Sequence, residues 1–581
     1  MDIFDVLTLI GGLCLFLFGM DVMGESLKRA AGNSLRTILG KLTNNKILGF
    51  LTGLTVTAVI QSSSATTVMV VGFVNSSLMT LKQAISVIMG ANVGTTITAW
   101  ILSLSGISGE NLIIQLLKPT SFTPVLALIG IVLQMTAKTS KKKDVGAILL
   151  GFATLMFGMD AMSGAVGGLR DIPAFQQMFI LFTNPILGVL VGAVLTAIIQ
   201  SSSASVGILQ ALSATGQVTN GAAIPIIMGQ GIGTCVTALI SSVGTTRNAR
   251  RAAIVHLSFN VIGTVVWLSA FCIFKAVFAP VFLNEAANFL SIAIFNTVFK
   301  VLCTVLLLPM SDLLEKLAIR ILPDAETPET AAVLDERLLT TPAVALSQSR
   351  TVALEMAECS IGCLKKALSS LNNYSPALAK EIRQDEDRSD QYEDILGSYL
   401  VKLSAMTMDD ADERETTMLL KLIGDFERIS DHSVNILESA EEMLEKDLSF
   451  SPAAQKELSV LTSAVSEILD LSLEAFRTGD IQTIYSVEPL EQVIDRLKEI
   501  LRTNHILRLQ QGECTIHVGF VWSDLLTNLE RTSDHCSNIA GCLIDMQSHD
   551  MNTHAHLRAL KTSGEDFMKQ LEYYSNKYSI S

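Results

Sequence analysis

Apolar residues fill nearly every position in long stretches of the first 320 residues, whereas from about residue 343 they recur every third or fourth position. An apolar run of about 20 residues can cross a bilayer core of about 30 Å as a helix, while the spaced recurrence marks helices with one wet face. The runs at 81–104 and 119–137 are of the first kind. Leu422, Phe426 and Ile429, and later Leu525, Leu526 and Leu529, are of the second. Pro323, Pro328 and Pro342 punctuate the stretch between them. The expected organisation is a membrane domain over 1–312, a linker over 313–342, a helical domain over 343–565 and a tail over 566–581. The first apolar run follows an acidic leader and lacks a small-residue cleavage pattern, so it reads as a retained helix and not a signal peptide.

The membrane half is internally duplicated. Phe18–Asp21 (FGMD) recurs at Phe157–Asp160, Ile60–Ala65 (IQSSSA) at Ile199–Ala204, and IMGANVGTTITA at Ile88–Ala99 as IMGQGIGTCVTA at Ile227–Ala238. All three pairs share one offset of 139 residues without a gap, which chance does not produce. The repeats are expected over about 1–137 and 145–310. A duplicated membrane unit points to a transporter whose substrate sits between related halves.

Charge sharpens the division. Residues 1–320 carry 19 Lys and Arg against 11 Asp and Glu, and the remainder 23 against 45. The acidic second half excludes nucleic acid as a partner, because a phosphate-backbone footprint needs clustered Lys and Arg. Basic groups near the apolar runs are Lys28, Arg29, Arg36, Lys41 and Lys46, then Lys138 and Lys141–Lys143, then Arg247, Arg250 and Arg251. All belong on the cytoplasmic side by the positive-inside rule. They reach it only if 47–78 and 186–215 enter and leave the membrane on one side. About 32 residues give two helical arms of roughly 22 Å, too short for two full crossings. Two re-entrant hairpins in inverted repeats follow.

The hairpin tips carry the chemistry. Gln61, Ser62, Ser63, Ser64, Thr66 and Thr67 fall mid-hairpin, matched by Gln200, Ser201, Ser202, Ser203 and Ser205. Polar residues at that depth are costly unless they face protein or water. The returning arm begins a helix whose first N–H groups lack partners and carry partial positive charge, and serine there both caps the helix and donates to an anion. Residues 47–109 hold one Lys, Arg, Asp, Glu or His (Lys82), and 172–246 hold none. Hydroxyls and dipoles without ionisable groups favour sodium over proton coupling. Asp21 and Asp160 are the nearest carboxylates, either cation-sensing or merely interfacial. Gly90, Asn92, Gly94, Thr95, Thr96 and Thr98, with Gly229, Gly231, Gly233, Thr234 and Thr237, form a second matched set that either ligates or packs helices closely.

Paired QSSS runs, each followed by G-x-x-x-G-T-x-x-T, resemble the type II sodium–phosphate cotransporter family over residues 1 to about 310. The resemblance implies sodium-driven movement of inorganic phosphate. It assigns substrate and sodium sites to the QSSS serines and their neighbours, among them Asn92, Thr95, Thr96 and Thr234. Ser205 and Val206 stand opposite Thr66 and Thr67, and Gln230-Gly231 opposite Ala91-Asn92, so the number of sodium ions does not transfer.

A second duplication lies in the acidic half, where ERISDHSVNI at Glu427–Ile436 recurs as ERTSDHCSNI at Glu530–Ile539. Glu427/Asp431 and Glu530/Asp534, with Glu386/Asp390 and Glu491/Asp495, each put two carboxylates on one helix face. Four such repelling pairs invite a cation. The pattern is similar to the PhoU family over roughly 343–560. That resemblance implies two three-helix repeats with divalent or ferric metal at these eight residues, and a role in regulating transport by phosphate status. His432 and His535 point about 100° away from the aspartates before them and are not expected among those ligands. Nine cysteines without a CxxC pair read as reduced thiols.

The expected protein is all-α: a polytopic membrane domain of two inverted repeats with re-entrant hairpins, then a cytoplasmic helical bundle, in a bacterial plasma membrane. It shows no nucleophile–base constellation and is not expected to be an enzyme. Inorganic phosphate, sodium and the lipid bilayer are its expected partners, with a second copy of the chain left open. A phosphate sensor without net transport, or a carrier of another oxyanion, are the alternative readings.

Overall fold

The computed structural model describes residues 3–31, 45–76, 78–107, 118–166, 184–323, 334–548 and 565–580. The chain divides into two compact units, Met1–Val344 and Ala345–Ser581. Among the described residues both are helical and contain no β-strand. Arg36 and Lys41, part of the first basic group, lie outside the described residues.

In the first unit the duplication becomes a matched series of helices. The first repeat gives α1 (Ile3–Ala30), α2 (Lys46–Ile60), α3 (Ser63–Asn75), α4 (Leu81–Gly94), α5 (Thr96–Ser103) and α6 (Pro119–Thr136). The second gives α7 (Ser140–Val166), α8 (Pro185–Ile199), α9 (Ser202–Ser213), α10 (Asn220–Ser241), α11 (Arg247–Phe278) and α12 (Phe289–Leu307). Local signals repeat with the sequence. Asn45 accepts from Ile47 N–H and Asn184 from Ile186 N–H, capping α2 and α8. Thr80 and Thr219 cap α4 and α10 in the same way.

Among the described residues seven helical stretches are long and apolar enough to cross a membrane, one of them α4 continued through α5, while α2, α3 and α8 are shorter apolar helices. Exposed Leu7, Ile10, Phe18, Val265, Val277 and Val305 mark their outward faces as apolar. Such faces suit lipid and not water.

The packing of α1 on α7 fixes the relation of the repeats. A Cβ on Gly19 would meet Gly151 O at 2.6 Å, and one on Gly12 would meet Gly158 O at 3.0 Å. The order of these contacts shows that α1 and α7 run antiparallel. Gly12 and Gly19 are the 139-residue counterparts of Gly151 and Gly158, so each repeat supplies the same two small residues to a shared crossing. Phe16, Met23, Leu155 and Met159 fill the core beside it.

Residues 313–342, expected as a linker, hold most of α13 (Ser311–Ile321) and a 3-10 turn at Glu336–Thr340. Both belong to the first unit. Asp312 pairs with Lys46 at 2.9 Å, and Asn75 donates to buried Asp335 at 2.6 Å. Arg337 donates to Ser241 O at the end of α10 and to Val243 O just beyond it, at 2.5 and 3.1 Å.

The second unit contains α14 (Pro342–Ser370), α15 (Pro376–Ser404), α16 (Asp410–Glu445), α17 (Pro452–Thr478), α18 (Ile481–Gln510), α19 (Ile516–Ser548) and α20 (Glu565–Lys577). The first six form two sets of three, and α16 packs on α19 where the sets meet. Leu422, Phe426 and Ile429 of α16 and Leu525 and Leu529 of α19 are wholly buried, as their spacing requires. All nine cysteines are free thiols.

Candidate functional site

The hairpin tips have the same backbone. Helix α2 ends at Gln61 with φ 59° and α8 at Gln200 with φ 58°, both left-handed although neither residue is glycine. Gln61 N–H donates to Thr57 O and Gln200 N–H to Thr196 O, each at 2.7 Å. The chain then turns extended at Ser62 and Ser201, whose side chains accept from Ala65 N–H and Ala204 N–H at 3.2 Å and start α3 and α9. A left-handed non-glycine costs roughly 1–2 kcal/mol, and here it occurs twice at matched positions.

The two tips meet. Gln61, Ser62, Ser63, Ser64, Gln200, Ser201, Ser202 and Ser203 line one cavity of about 340 Å3, with a wall from α1. Ser64 Oγ lies 3.5 Å from Gln200 O across it. The first turns of α3 and α9, with their unpaired N–H groups and positive dipole ends, therefore open onto one space. No tip side chain carries charge, so what the tips themselves add to the field there comes from their backbone.

The other expected site residues stand behind this layer. Thr66 Oγ1 donates to Ser62 O at 3.0 Å and Thr67 Oγ1 to Ser63 O at 2.8 Å, while Ser205 is fully buried. Asn92 donates to Ile88 O, Thr95 to Ala91 O and Thr234 to Gln230 O, and Thr96 is buried. None of these lines the cavity. The glycines of the second motif serve close packing. A Cβ on Gly90 would sit 1.9 Å from Phe50 O, and one on Gly229 1.9 Å from Val189 O, so α2–α4 and α8–α10 touch backbone to backbone.

Three charged residues line the cavity that the tip-centred reading did not place there. Asp21, Glu25 and Lys28 occupy one stripe of α1, with Lys28 Nζ 2.5 Å from Glu25. Their spacing of three and four was legible, but nothing local indicated that this stripe would face both tips. Asp160, the match of Asp21, is exposed and does not line the cavity. His256 on α11 and Lys300 on α12 are also buried in this unit, outside 47–109 and 172–246.

In the second unit the carboxylates gather into two triads. Glu386, Asp390 and Asp431 form one and Glu491, Asp495 and Asp534 the other, with one ligand oxygen from each residue within 4.8 Å of the rest. Glu427 and Glu530 sit beside them. Burial and the Asp431 carboxylate push Glu427 up to about 7, with Arg428 opposing. Burial, Glu530 and Asp495 push Asp534 up to about 6. Glu386 and Asp390 are raised by burial and by their acidic neighbours. Clustered oxygens that hold protons this firmly fit a hard cation, whose charge would replace those protons.

Residues 15–164 and 173–294 match the family model described as Na+/Pi-cotransporter, and 353–440 and 458–543 match that of the PhoU domain. The chain is 25% identical over 553 residues to the Escherichia coli O157:H7 protein named "Putative inorganic phosphate export protein YjbB", covering 94% of this chain and 98% of that one. It is 37% identical over 101 residues to human sodium-dependent phosphate transport protein 2B, covering 17% of this chain and 15% of that one. The crystal structure of PhoU from Pseudomonas aeruginosa aligns with 35% of this chain and 97% of its own at 23% identity, with a TM-score of 0.34. The two family models divide the chain as its hydropathy does: its first half carries a Na+/Pi-cotransporter family domain and its second half a PhoU domain.

Proposed function

We propose that the first unit carries inorganic phosphate across the plasma membrane with sodium as the coupling ion, and that the PhoU domain governs it from the cytoplasm. The observation that carries this reading is the meeting of two matched hairpin tips at one cavity. Phosphate binds between Ser62–Ser64 and Ser201–Ser203, held by their hydroxyls and the N–H groups of α3 and α9. Lys28 stands at the wall, paired with Glu25. Sodium uses hydroxyl and carbonyl oxygens at the same breaks, with Gln61, Gln200, Thr66, Thr67 and Ser205 shaping them and Asp21 as the nearest carboxylate. Asn92, Thr95, Thr96 and Thr234 hold the helices against which the hairpins lean.

Alternating access follows from inversion. Three candidate spans separate the start of α1 from the start of α7. The 15 and 13 residues of α2 and α3 reach only about 22 and 20 Å, which supports a re-entrant hairpin in place of two crossings. The pairing of Asp312 with Lys46 and Lys82 supports a chain exit on the basic, cytoplasmic side. The carboxylate triads Glu386/Asp390/Asp431 and Glu491/Asp495/Asp534, with Glu427 and Glu530, take divalent or ferric metal.

The name of the E. coli relative favours export as the working direction. Proteoliposomes loaded with labelled phosphate, or bathed in it, with sodium or potassium on either side, test all of this. Sodium-dependent movement beyond binding is expected. Saturable binding without movement would make the protein a sensor, and movement indifferent to sodium would remove the coupling ion.

A further inference from the structure

The second unit holds a pair of imidazoles that its carboxylate triads do not use. His432 on α16 and His535 on α19 occupy equivalent places in the duplicated segment, and their ring centres lie 5.6 Å apart with planes inclined by 36°. The helices cross antiparallel at this point, since Asn435 reaches Asn528 while Asn538 reaches Asp425. The two rings therefore sit where the repeats face each other.

The hydrogen bonds fix the tautomers. His535 Nδ1 lies 2.9 Å from Asp425 Oδ1, a carboxylate that only accepts, so Nδ1 carries the proton. His432 Nδ1 lies 3.0 Å from Asn528 Oδ1. The Asn528 amide group already donates to Asp524 O at 2.9 Å, so its oxygen is the acceptor here too. Asp425 and Asn528 are themselves counterparts in the duplication, and each serves the histidine of the other repeat. Both rings are thus left with a lone pair on Nε2. That of His432 is buried and meets no partner, in a residue only 7% exposed.

An imidazole whose Nδ1–H is held by a carboxylate or amide oxygen while Nε2 stays free is the usual state of a metal-ligating histidine. Two imidazoles bound through Nε2 at about 2.1 Å to one tetrahedral ion have ring centres roughly 5 Å apart, close to the spacing here. We propose that His432 and His535 form a third metal site, which takes a borderline divalent ion of the zinc or copper class and pins the two repeats of the PhoU domain together. Nitrogen ligands separate it from the all-oxygen triads, which suit harder ions. The His535 side chain is 21% exposed, which leaves an entry path and room for water as the remaining ligands.

The full chain in detergent, stripped by chelator and given one equivalent of Cu2+, tests this by electron paramagnetic resonance. Its sequence also carries His549, His554 and His556, outside the described residues, so the background has all three replaced by Ala. Splitting from two imidazole nitrogens is expected there. His432→Gln or His535→Gln should each leave one nitrogen and weaken Cu2+ binding roughly tenfold or more. Asp431→Asn with Asp534→Asn should leave the nitrogen pattern intact. A background spectrum without nitrogen splitting overturns the site, and so does splitting that survives the His432→Gln/His535→Gln double change. Should a variant fail to fold by circular dichroism, the nitrogen count of the background protein still decides.

Discussion

The two hairpins have nearly the same backbone and quite different surroundings. Gln61 is 7% exposed, and its Oε1 accepts from Thr98 Oγ1 at 2.9 Å, whereas Gln200 lies exposed at the cavity. Helix α2 buries six of its residues and α8 only three. Asn75, the last residue of α3, is bound to Asp335, and Leu338 lies against Gly72 of the same helix. The PhoU domain repeats the theme: Glu530 is paired with Lys498 at 2.7 Å, while Glu427 lies 3.5 Å from the outward-lying Arg428. Duplication thus copies local geometry and leaves each copy's environment to whatever packs on it. Two like hairpins in unlike settings therefore give the cavity an asymmetry that duplication by itself would not.

The comparison can be broken most severely at the glycine contacts, where the copies should behave alike. Gly90→Ala and Gly229→Ala each place a Cβ 1.9 Å from a backbone oxygen. About 3 kcal/mol of destabilisation is expected from each, read as lost folded protein in size-exclusion chromatography. A variant that expresses and melts like the parent would show that its helix pair is not held by backbone contact.

Equivalence at the cavity comes next. Ser63→Ala and Ser202→Ala each remove a hydroxyl that lines it. A hydrogen bond to a charged group is worth about 1.5–3 kcal/mol, so phosphate flux should fall roughly tenfold or more in both at unchanged expression. Loss in one alone would restrict the anion to a single tip.

The carboxylate triads should separate on a pH scale. Glu427 rises to about 7 from an ordinary 4.5, and Asp534 to about 6 from 3.8. A raised folded pKa gives stability that is complete below the ordinary value and lost as pH rises through the folded one. The metal-free protein should therefore melt at lower temperature as pH is raised from about 5 to about 8. Metal binding needs the deprotonated groups and runs the other way: on acidification both sites should release their ions, the one beside Glu427 at the higher pH. Metal titrations of Asp431→Asn and Asp534→Asn, each leaving one triad intact, measure the two midpoints. Coincident midpoints would mean that Lys498 does not distinguish the sites.

The smallest effect concerns the tips themselves. Gln61→Ala should cost about 1 kcal/mol more than Gln200→Ala in thermal melts, because it strands the Thr98 hydroxyl in a buried position. Equal costs would place the difference between the hairpins elsewhere.

Much of this protein is written in short stretches of sequence, because short-range physics controls it. Long apolar runs must become helices wherever they are buried, since no other local structure satisfies every backbone group. Asn45, Asn184, Ser62 and Ser201 cap their helices from within three residues, and two copies of one tip sequence produce two copies of one left-handed turn. The constant offset of 139 residues announced the matched helices, and E-x-x-x-D spacing announced shared carboxylate faces. Tertiary structure alone decided that the tips would converge, that Asp21, Glu25 and Lys28 would wall the same cavity while Asp160 would not, and that His432 and His535 would meet. It also set Asp335 against Asn75, 260 residues away in sequence. These are contacts between segments far apart in the chain, and no spacing rule encodes them. They arise when close-packed helices exhaust the ways of burying their apolar faces, and the repeat fixes what each partner is without fixing what it will touch.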